Sequence, residues 1–279
     1  MTSAHFAEAS NQLMSRGGTP TFASKFDQRL SFTMYVPRTL DLTDPAPLIV
    51  LQHGTARTAL RYRDSMRPFA DEHGAIILAP TFPAGLVDPY DLHNYKFIEY
   101  EGIRFDLALL SMIDEVAERY NIQKNKIYLH GYSGGGQFVH RFLYLHPERL
   151  AAVSIGAPGR ITELDDTKKW WLGTQGMKEK FGIEPDIDAI RQVPVHMVVG
   201  GEDTSTNEIN NPGESNWMDG AELTGNTRIE RLQTLQRNYE GHGISTKLDI
   251  VPGVAHDGTA VLPVVGEFFA NVMATRTRG

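Results

Sequence analysis

A serine set between small residues ends an apolar run in the middle of the chain. The run from Ile127 to Tyr132 leads into Ser133, and Gly131 and Gly135 lie two residues to either side of that serine. A serine hydroxyl becomes a nucleophile when a base takes its proton, and a sharp strand-to-helix turn exposes it to such a base. Glycines suit this tight reversal, because larger side chains would collide with the strand or the helix. The segment therefore predicts a nucleophile at Ser133.

The other interpretation of this turn is a glycine-rich loop that caps a helix or binds phosphate. No lysine stands where a phosphate-binding loop requires one, and no second glycine fingerprint is present. Phe138, Phe142 and Leu145 instead recur at helical spacing until His146 and Pro147 end the helix. Strand, turn and helix are thus predicted in the order that a serine nucleophile requires.

Two partners for the serine follow later in the chain. The apolar run 195–199 breaks at two glycines and leads into Glu202 and Asp203, and the run 246–251 leads into a turn-rich loop that carries His256. An acid and then a histidine, each after a strand, is the order in which such a nucleophile meets its partners. His256 is predicted to be the general base and Asp203 the acid that orients it, with Glu202 as the alternative to Asp203.

Backbone donors for a developing oxyanion are the fourth requirement. Gly134, directly after the serine, would supply one N–H group. The apolar run 48–52 ends in His53-Gly54-Thr55-Ala56, which resembles the His-Gly oxyanion motif of lipases and esterases. The second donor is predicted to be the amide of Thr55, with the amide of Ala56 as the alternative. A plain polar turn is the interpretation without a function.

These parts, in this order, resemble the α/β-hydrolase family over nearly the whole chain. Three further features are similar to its polyhydroxybutyrate-depolymerase and feruloyl-esterase-like branch: Phe105-Asp106 before a long helix, the strand Lys126-Ile127-Tyr128, and the glycines after Ser133. The resemblance implies an α/β-hydrolase fold and a serine hydrolase that uses no cofactor and usually cleaves carboxylic esters. Members of this branch often carry a cysteine near the His-Gly loop and a secretion signal, and this sequence shows neither.

Short apolar runs alternate with helical patterns along the chain, which predicts a mostly parallel central sheet flanked by helices. Helices are predicted over Gly102–Tyr120, where apolar residues recur at turn spacing, and from Thr227, where a capping box begins. The predicted strands are Leu30–Val36, Leu48–Gln52, Ala75–Ala79, Lys126–His130, Ala151–Ile155, Val195–Val199 and Thr246–Val251.

Residues that select the substrate are expected outside this minimal alternation. The stretch 159–192 is predicted to be a small cap or lid, in which Trp170 and Trp171 either line an acyl or aryl pocket or only pack the cap onto the sheet. Tyr95, in the segment after a predicted strand, is expected to border the same pocket. Arg57 would contact a substrate carboxylate, or would simply be solvated, as most loop arginines are.

Length and composition set the outer limits. The 279 residues are predicted to form one catalytic domain, and the polar stretch 204–225 is expected to form a rim of its site. A formal net charge of −7, with scattered positive side chains, argues against nucleic acid or an anionic membrane as partner. With no cysteine, the chain has no disulfide, catalytic thiol or thiolate ligand, and its histidines lack metal-site spacing. No stretch is long enough to span a bilayer, and residues 1–18 lack the apolar core of a signal peptide, which predicts a cytoplasmic location unless a signal has been removed.

Together these residues predict a serine hydrolase that cleaves a small or medium carboxylic ester through an acyl-enzyme, with no cofactor and no metal. An amidase or carbamate hydrolase with the same residues is the nearest alternative, since it differs only in whether the histidine can protonate an amine leaving group. A non-catalytic binding protein on the same scaffold is a third interpretation. The pattern does not predict an oligomeric state.

Overall fold

A computed structural model describes residues 15–206 and 216–276, so residues 207–215 of the predicted rim lie outside the described part of the chain. Within these ranges a nine-stranded mixed sheet forms the centre of the molecule, and a short hairpin stands apart from it. The strands are β1 (Gly17–Gly18), β2 (Phe22–Ala23), β3 (Ser31–Val36), β4 (Leu48–Gln52), β5 (Ile76–Thr81), β6 (Glu99–Tyr100), β7 (Ile103–Arg104), β8 (Ile127–Tyr132), β9 (Leu150–Gly156), β10 (Val195–Gly200) and β11 (Thr246–Val251). The hairpin consists of β6 and β7.

The order of strands across the sheet is β1-β3-β5-β4-β8-β9-β10-β11, with β2 paired to β3. From β5 to β11 all neighbours are parallel, whereas β3 is antiparallel to β5, β1 and β2. Parallel strands are covered on both faces and therefore read as nearly continuous apolar runs, as 48–52 and 195–199 do. The predicted strands are all present, with ends displaced by at most two residues.

Helices cover the sheet. They are α1 (Ala59–Ser65), α2 (Arg67–His73), α3 (Phe105–Ala117), α4 (Gly134–Leu145), α5 (Met177–Phe181), α6 (Ile187–Arg191), α7 (Arg228–Gly241) and α8 (Leu262–Arg276). α4 is buried along its whole length because it packs on β8 and β9 and against the 3₁₀ turn Asn94–Phe97. The rings of Phe268 and Phe269 on α8 contact His196 and Tyr128 of the sheet, with centroids 4.9 and 5.5 Å apart.

One predicted helix is shorter than its apolar spacing suggested. The pattern Gly102–Tyr120 yields α3 only from Phe105 to Ala117. Glu101 and Gly102 have φ angles of 51° and 78° and form the turn of the β6–β7 hairpin, which a helix cannot include. α7 begins as predicted, since Thr227 accepts a hydrogen bond from the Glu230 amide and Glu230 closes the capping box.

The parallel arrangement brings four loops to one edge of the sheet. The loops that follow β4, β8, β10 and β11 all leave from the carboxyl ends of parallel strands, where open α/β sheets place their ligand sites. These loops carry the predicted oxyanion segment (residues 53–56), the predicted nucleophile Ser133, the acid Asp203 and the base His256. Among the helices of the described residues, none combines the length and apolar character needed to cross a bilayer.

Candidate active site

Ser133 occupies the turn between β8 and α4 in a backbone conformation that few residues other than glycine adopt, with φ 58° and ψ −116°. Its N–H donates to the carbonyl of Gly156 at the end of β9 (2.9 Å), and its carbonyl accepts from the N–H of Gln137 (3.1 Å). Conformations of this kind cost about 1–3 kcal/mol and persist only where neighbours impose them. Here the adjacent strand and the first turn of the helix hold the serine in place.

The glycines around Ser133 are required by close backbone contacts. A Cβ atom on Gly131 would lie 2.5 Å from the carbonyl oxygen of Gly135, and one on Gly135 would lie 2.4 Å from the carbonyl oxygen of Gln52. The first turn of α4 therefore rests directly on the end of β4. This contact brings the oxyanion segment after β4 next to the serine.

His256 and Asp203 meet across the loops that follow β11 and β10. Nδ1 of His256 lies 2.5 Å from Oδ2 of Asp203, whose side chain is fully buried, while Glu202 is exposed to solvent. Burial raises the pKa of Asp203, but the hydrogen bond and charge of His256 and the charge of Arg228 outweigh it and hold that pKa below its ordinary value. An ionised carboxylate at Nδ1 leaves Nε2 of the imidazole as the nitrogen that can accept a proton.

Ser133 and His256 line one cavity of about 340 Å³, together with Gly54, Thr55 and Tyr132. Ser133 is partly exposed there, and the side chain of His256 is one-third exposed. The ring of Tyr132 packs beside the imidazole with centroids 5.2 Å apart. A serine and a histidine that share a solvent-connected cavity, with a buried carboxylate behind the histidine, have the arrangement of a nucleophile and its general base.

The loop that carries His256 is tied to the rest of the molecule. Asp257 accepts the N–H of Thr259 (2.8 Å) and forms an ion pair with Arg61 of α1 (3.0 Å). A Cβ atom on Gly258 would lie 1.9 Å from the hydroxyl oxygen of Tyr62, so the loop packs closely on α1 as well. The two residues directly after His256 are thus held against α1.

Two backbone amides lie beside the serine. A Cβ atom on Gly134 would lie 3.1 Å from the amide nitrogen of Thr55, so these two residues are neighbours. Within residues 15–206 and 216–276, neither amide donates to a backbone carbonyl. Adjacent N–H groups that are not engaged by other backbone groups are what a tetrahedral oxyanion requires. Ala56, the alternative donor, lies one residue further along and is exposed.

His53 sets the path of this segment. Its Nε2 accepts the N–H of Phe82 (2.9 Å), and its Nδ1 donates to the carbonyl of Gly54 (2.8 Å). Burial lowers the pKa of His53 to about 3, so the ring is neutral and carries its proton on Nδ1. The imidazole thereby fixes the orientation of Gly54 and of the Thr55 amide that follows it.

Comparisons with known proteins place this arrangement in a known fold. No family model matches the chain. It is 24% identical over 124 residues to feruloyl esterase B of Thermothelomyces thermophilus, a match that covers 44% of this chain and 42% of that relative, so the similarity spans less than half of the fungal enzyme. Among solved structures, it resembles LpqC, a poly(3-hydroxybutyrate) depolymerase from Bordetella parapertussis, with a TM-score of 0.72, 22% identity and coverage of 93% and 92% of the two chains. It also resembles poly(aspartic acid) hydrolase-1 from Sphingomonas sp. KT-1, with a TM-score of 0.70, 23% identity and coverage of 85% and 92%.

The chain has the α/β-hydrolase fold. The fold class expected from the sequence is therefore confirmed, as is the resemblance to the depolymerase and feruloyl-esterase-like branch. In this α/β-hydrolase fold the serine lies after β8 at the centre of the sheet, flanked by β4 and β9.

Tyr95 lies beneath the oxyanion segment of the α/β-hydrolase fold and not at the wall of a pocket. It is 0% exposed, and its hydroxyl donates to the carbonyl of His53 (2.9 Å). Its ring also packs edge-on against the imidazole of His53, with centroids 5.0 Å apart. Tyr95 has no surface to offer a substrate, so the expected contact is replaced by support of the oxyanion segment.

Arg57 also has a different position from the one expected. Its guanidinium donates to the carbonyls of Thr55 (2.6 Å), Leu92 (3.0 Å) and Phe82 (3.2 Å), and to Oδ1 of Asn94 (3.2 Å). These bonds use most of its donors within the protein. Arg57 therefore fastens the oxyanion segment to the loop after β5. Its guanidinium binds these protein acceptors and is not presented to a substrate carboxylate.

Trp170 and Trp171 line a second cavity of about 580 Å³, whose walls include His93, Phe97 and Trp217. Trp171 is 7% exposed and packs on Phe97 with ring centroids 5.4 Å apart. The tryptophans thus pack the predicted cap and also face a cleft. This aromatic cleft shares no lining residue with the cavity of Ser133.

Lys96 lies between Gly134 and His93, and no sequence pattern pointed to it. It is 2% exposed, and its Cε would lie 2.9 Å from a Cβ atom on Gly134. Its Nζ lies 2.9 Å from Nδ1 of His93, which lines the aromatic cleft. The buried end of this side chain therefore lies next to Gly134 and to one wall residue of the aromatic cleft, while Lys96 itself lines neither cavity. No spacing rule marks a loop lysine of this kind.

Arg228 is the second residue that sequence reasoning missed. Its Nη1 lies 3.1 Å from Oδ1 of Asp203, and its side chain is 7% exposed. The capping box that starts at Thr227 places Arg228 at the first helical position of α7, shortly after the loop with the acid. That signal was visible in the sequence, but the direction of the arginine side chain was not.

A second serine, histidine and aspartate lie in sequence across the sheet. Oγ of Ser154 is 2.9 Å from Nδ1 of His196, whose Nε2 is 3.0 Å from Oδ2 of Asp249. Nδ1 of His130 is 3.0 Å from the same serine hydroxyl. Ser154 and His196 are both 0% exposed in the middle of strands, where no substrate carbonyl can reach the hydroxyl. These groups therefore form a buried polar network across β8, β9, β10 and β11, in which Nε2 of His130 has no hydrogen-bond partner among the described residues.

Among residues 15–206 and 216–276, no group of three or more histidine, aspartate and glutamate side chains is placed to hold a metal ion.

Proposed function

We propose that this protein is a serine hydrolase that cleaves carboxylic esters, with Ser133 as nucleophile, His256 as general base and Asp203 as the carboxylate that orients the base. The observation that carries the proposal is the shared cavity of Ser133 and His256, behind which Asp203 is 2.5 Å from the histidine. The α/β-hydrolase fold and the similarity to a feruloyl esterase support it.

In the first half of the proposed reaction, the Ser133 hydroxyl attacks the ester carbonyl while Nε2 of His256 takes its proton. The carbonyl oxygen becomes an oxyanion, which the amides of Thr55 and Gly134 bind. The imidazolium is stabilised by the ionised carboxylate of Asp203. When the tetrahedral intermediate collapses, the C–O bond to the leaving group breaks and His256 returns the proton to the departing alcohol.

The second half removes the acyl group. Water gives a proton to Nε2 of His256 and attacks the acyl-enzyme carbonyl, and the same two amides bind the second oxyanion. Collapse breaks the bond to Oγ of Ser133, which regains its proton from the imidazolium. The products are a carboxylic acid and an alcohol, and the enzyme returns to its starting state without a cofactor.

Residues 159–192, which contain α5 and α6, are proposed to form a cap on one catalytic domain and to contribute the aromatic cleft to substrate binding. The end of the Lys96 side chain supports this, because it lies beside both Gly134 and His93 and so shows that one wall of the aromatic cleft is close to the turn of Ser133. A small ester would then react in the cavity of Ser133, and a larger acyl or alcohol group would extend toward Trp170 and Trp171.

Hydrolysis of p-nitrophenyl esters from acetate to long-chain acyl tests the reaction, with the purified protein compared with Ser133→Ala. We expect ester turnover in the wild type and a loss of at least about a thousandfold in the variant, as for removal of other serine nucleophiles. A fluorophosphonate should label the wild type and not Ser133→Ala. Matching anilides serve as the amide control, and faster anilide than ester cleavage would assign an amidase instead. A wild type that neither turns over esters nor reacts with the fluorophosphonate would remove the proposal.

The aromatic cleft gives a separate prediction about selectivity. Trp170→Ala should raise KM for long-chain or aryl esters by about tenfold, because one large aromatic contact is worth roughly 1–2 kcal/mol. Its kcat for p-nitrophenyl acetate should change little, since a small ester does not extend to the cleft. Trp217→Ala, which removes another aromatic side chain that lines the same cleft, is the matched variant. Equal effects of Trp170→Ala on short and long esters would argue that this residue only packs the cap.

A further inference from the structure

Asp203 is held by two side chains from different elements, one at each carboxylate oxygen. Nδ1 of His256 is 2.5 Å from Oδ2, and Nη1 of Arg228 is 3.1 Å from Oδ1. The carboxylate is fully buried, and the Arg228 side chain is 7% exposed, so solvent screens this ion pair little. The arginine is thus one of the two partners that fix the plane of the carboxylate.

The backbone of Arg228 is itself fixed. Thr227 caps α7 and Glu230 closes the capping box, so the first turn that carries Arg228 has a defined start. One turn later, Arg231 donates to the carbonyl of Gly159 (2.9 Å) and fastens the helix to the segment after β9. The guanidinium therefore approaches Asp203 from a rigid element and not from a mobile loop.

The groups of the described residues that interact electrostatically with Asp203 come from three elements. His256 comes from the loop after β11, Arg228 from α7, and Tyr132 from β8, where burial and the nearby Asp203 charge raise the pKa of its hydroxyl and keep it neutral. Arg228 is thus the full positive charge in contact with the carboxylate when the imidazole is neutral. Its charge opposes uptake of a proton by the Asp203–His256 pair.

We propose that Arg228 is a positioning residue that orients Asp203 and lowers the pH at which the Asp203–His256 pair takes up a proton, which rests on the function proposed above. The same contact restrains rotation of the carboxylate, so that Oδ2 stays directed at Nδ1 of His256.

The deciding experiment is an NMR titration of the hydrogen-bonded Nδ1 proton of His256 in the full-length protein, for the wild type, Arg228→Met, Arg228→Gln and Arg228→Lys. The methionine is similar in length without charge, the glutamine keeps one donor without charge, and the lysine keeps the charge. We expect the titration midpoint to rise by about one pH unit in the first two variants, as for loss of one adjacent charge, and to stay unchanged in the lysine variant. If Arg228→Met does not fold, Arg228→Gln answers the same question.

Arg237→Met is the control, since it removes an exposed arginine from the same helix and should leave the midpoint unchanged. In ester hydrolysis, the acidic limb of kcat/KM should move upward together with the NMR midpoint, and kcat at neutral pH should fall about tenfold in Arg228→Met. An unmoved midpoint in both uncharged variants overturns the proposal, as does an equal movement in Arg237→Met. The titration requires no turnover, so absence of esterase activity would remove the proposed function and still leave the role of Arg228 decided.

Discussion

At the scale of single residues, the oxyanion segment is held by side chains outside the lining of the Ser133 cavity. His53 orients Gly54, Tyr95 holds the carbonyl of His53, and Arg57 fastens the segment at Thr55. None of these three residues is among the lining residues of the cavity of Ser133. The placement of the Thr55 amide is therefore the sum of several hydrogen bonds made by neighbours.

Tyr95→Phe isolates one of these bonds. It leaves the buried carbonyl of His53 without its donor, which should lower the free energy of unfolding by about 1–3 kcal/mol. If Tyr95 supports the oxyanion segment, kcat for p-nitrophenyl acetate should fall severalfold as well. Tyr144→Phe is the matched control. Tyr144 lies near the end of α4, and its buried hydroxyl donates to the carbonyl of Thr162 (2.6 Å), which is not part of the oxyanion segment. Comparable losses of kcat in both variants would show an effect of stability alone.

Residues in this site differ in how far the sequence could predict them. Ser133, Asp203 and His256 each follow an apolar strand, and parallel pairing alone brings the ends of those strands to one edge. Tyr95 and Arg57 lie in irregular segments whose side-chain directions depend on contacts that no local pattern encodes. An aromatic residue and an arginine near the site suggested substrate contacts. In the structure both side chains instead hydrogen-bond to carbonyls of the oxyanion segment.

At the scale of elements, the contact between the first turn of α4 and the end of β4 sets the geometry of the nucleophile. It has room for glycine only, since a Cβ atom on Gly135 would lie 2.4 Å from one backbone oxygen and 2.8 Å from the next, at Gln52 and His53. Backbone atoms cannot yield as a flexible side chain can. The strand, the turn and the helix therefore behave as one unit.

Gly135→Ala tests this unit. We expect it to lower the free energy of unfolding by about 1–3 kcal/mol, the range for overpacking, and to reduce labelling of Ser133 by a fluorophosphonate. Gly241→Ala, near the end of α7, has no atom within 4 Å of the added Cβ and should instead stabilise the protein by about 0.5–1 kcal/mol. Urea unfolding of the two variants measures both values. A neutral Gly135→Ala would mean that the helix can move away from β4 at little cost.

At the scale of the whole molecule, buried histidines make the fold sensitive to acid. Burial lowers the pKa of His53 and of His130 to about 3 and that of His196 to about 4. It also places the pKa of His140 well below its ordinary value. In the unfolded chain each of these groups titrates near about 6.5, so below that pH the unfolded state binds protons that the folded state excludes.

The free energy of unfolding should therefore decrease as the pH falls from about 6.5 toward 4, by roughly 1.4 kcal/mol per pH unit for each such histidine. Asp203 contributes to stability in a lower pH range, because its pKa is lower in the folded protein than in the unfolded chain. This stabilisation is lost only as the pH falls from the pKa of the unfolded chain, about 3.9, through the pKa of the folded protein. Urea midpoints measured between about pH 7.5 and pH 5 check the histidine effect. A free energy that stays constant over this interval would contradict neutral, buried histidines.

The strand order has a consequence for when the candidate active site forms during folding. The four loops of the site contain residues 55, 133, 203 and 256. The strands that precede these loops lie across the sheet from β4 to β11. Closing such long loops is entropically costly and makes folding slow, and the segment that contains both Ser133 and His256 reaches from the end of β8 to the loop after β11. We therefore expect reactivity of Ser133 toward a fluorophosphonate to return late in refolding, when β10 and β11 join the sheet.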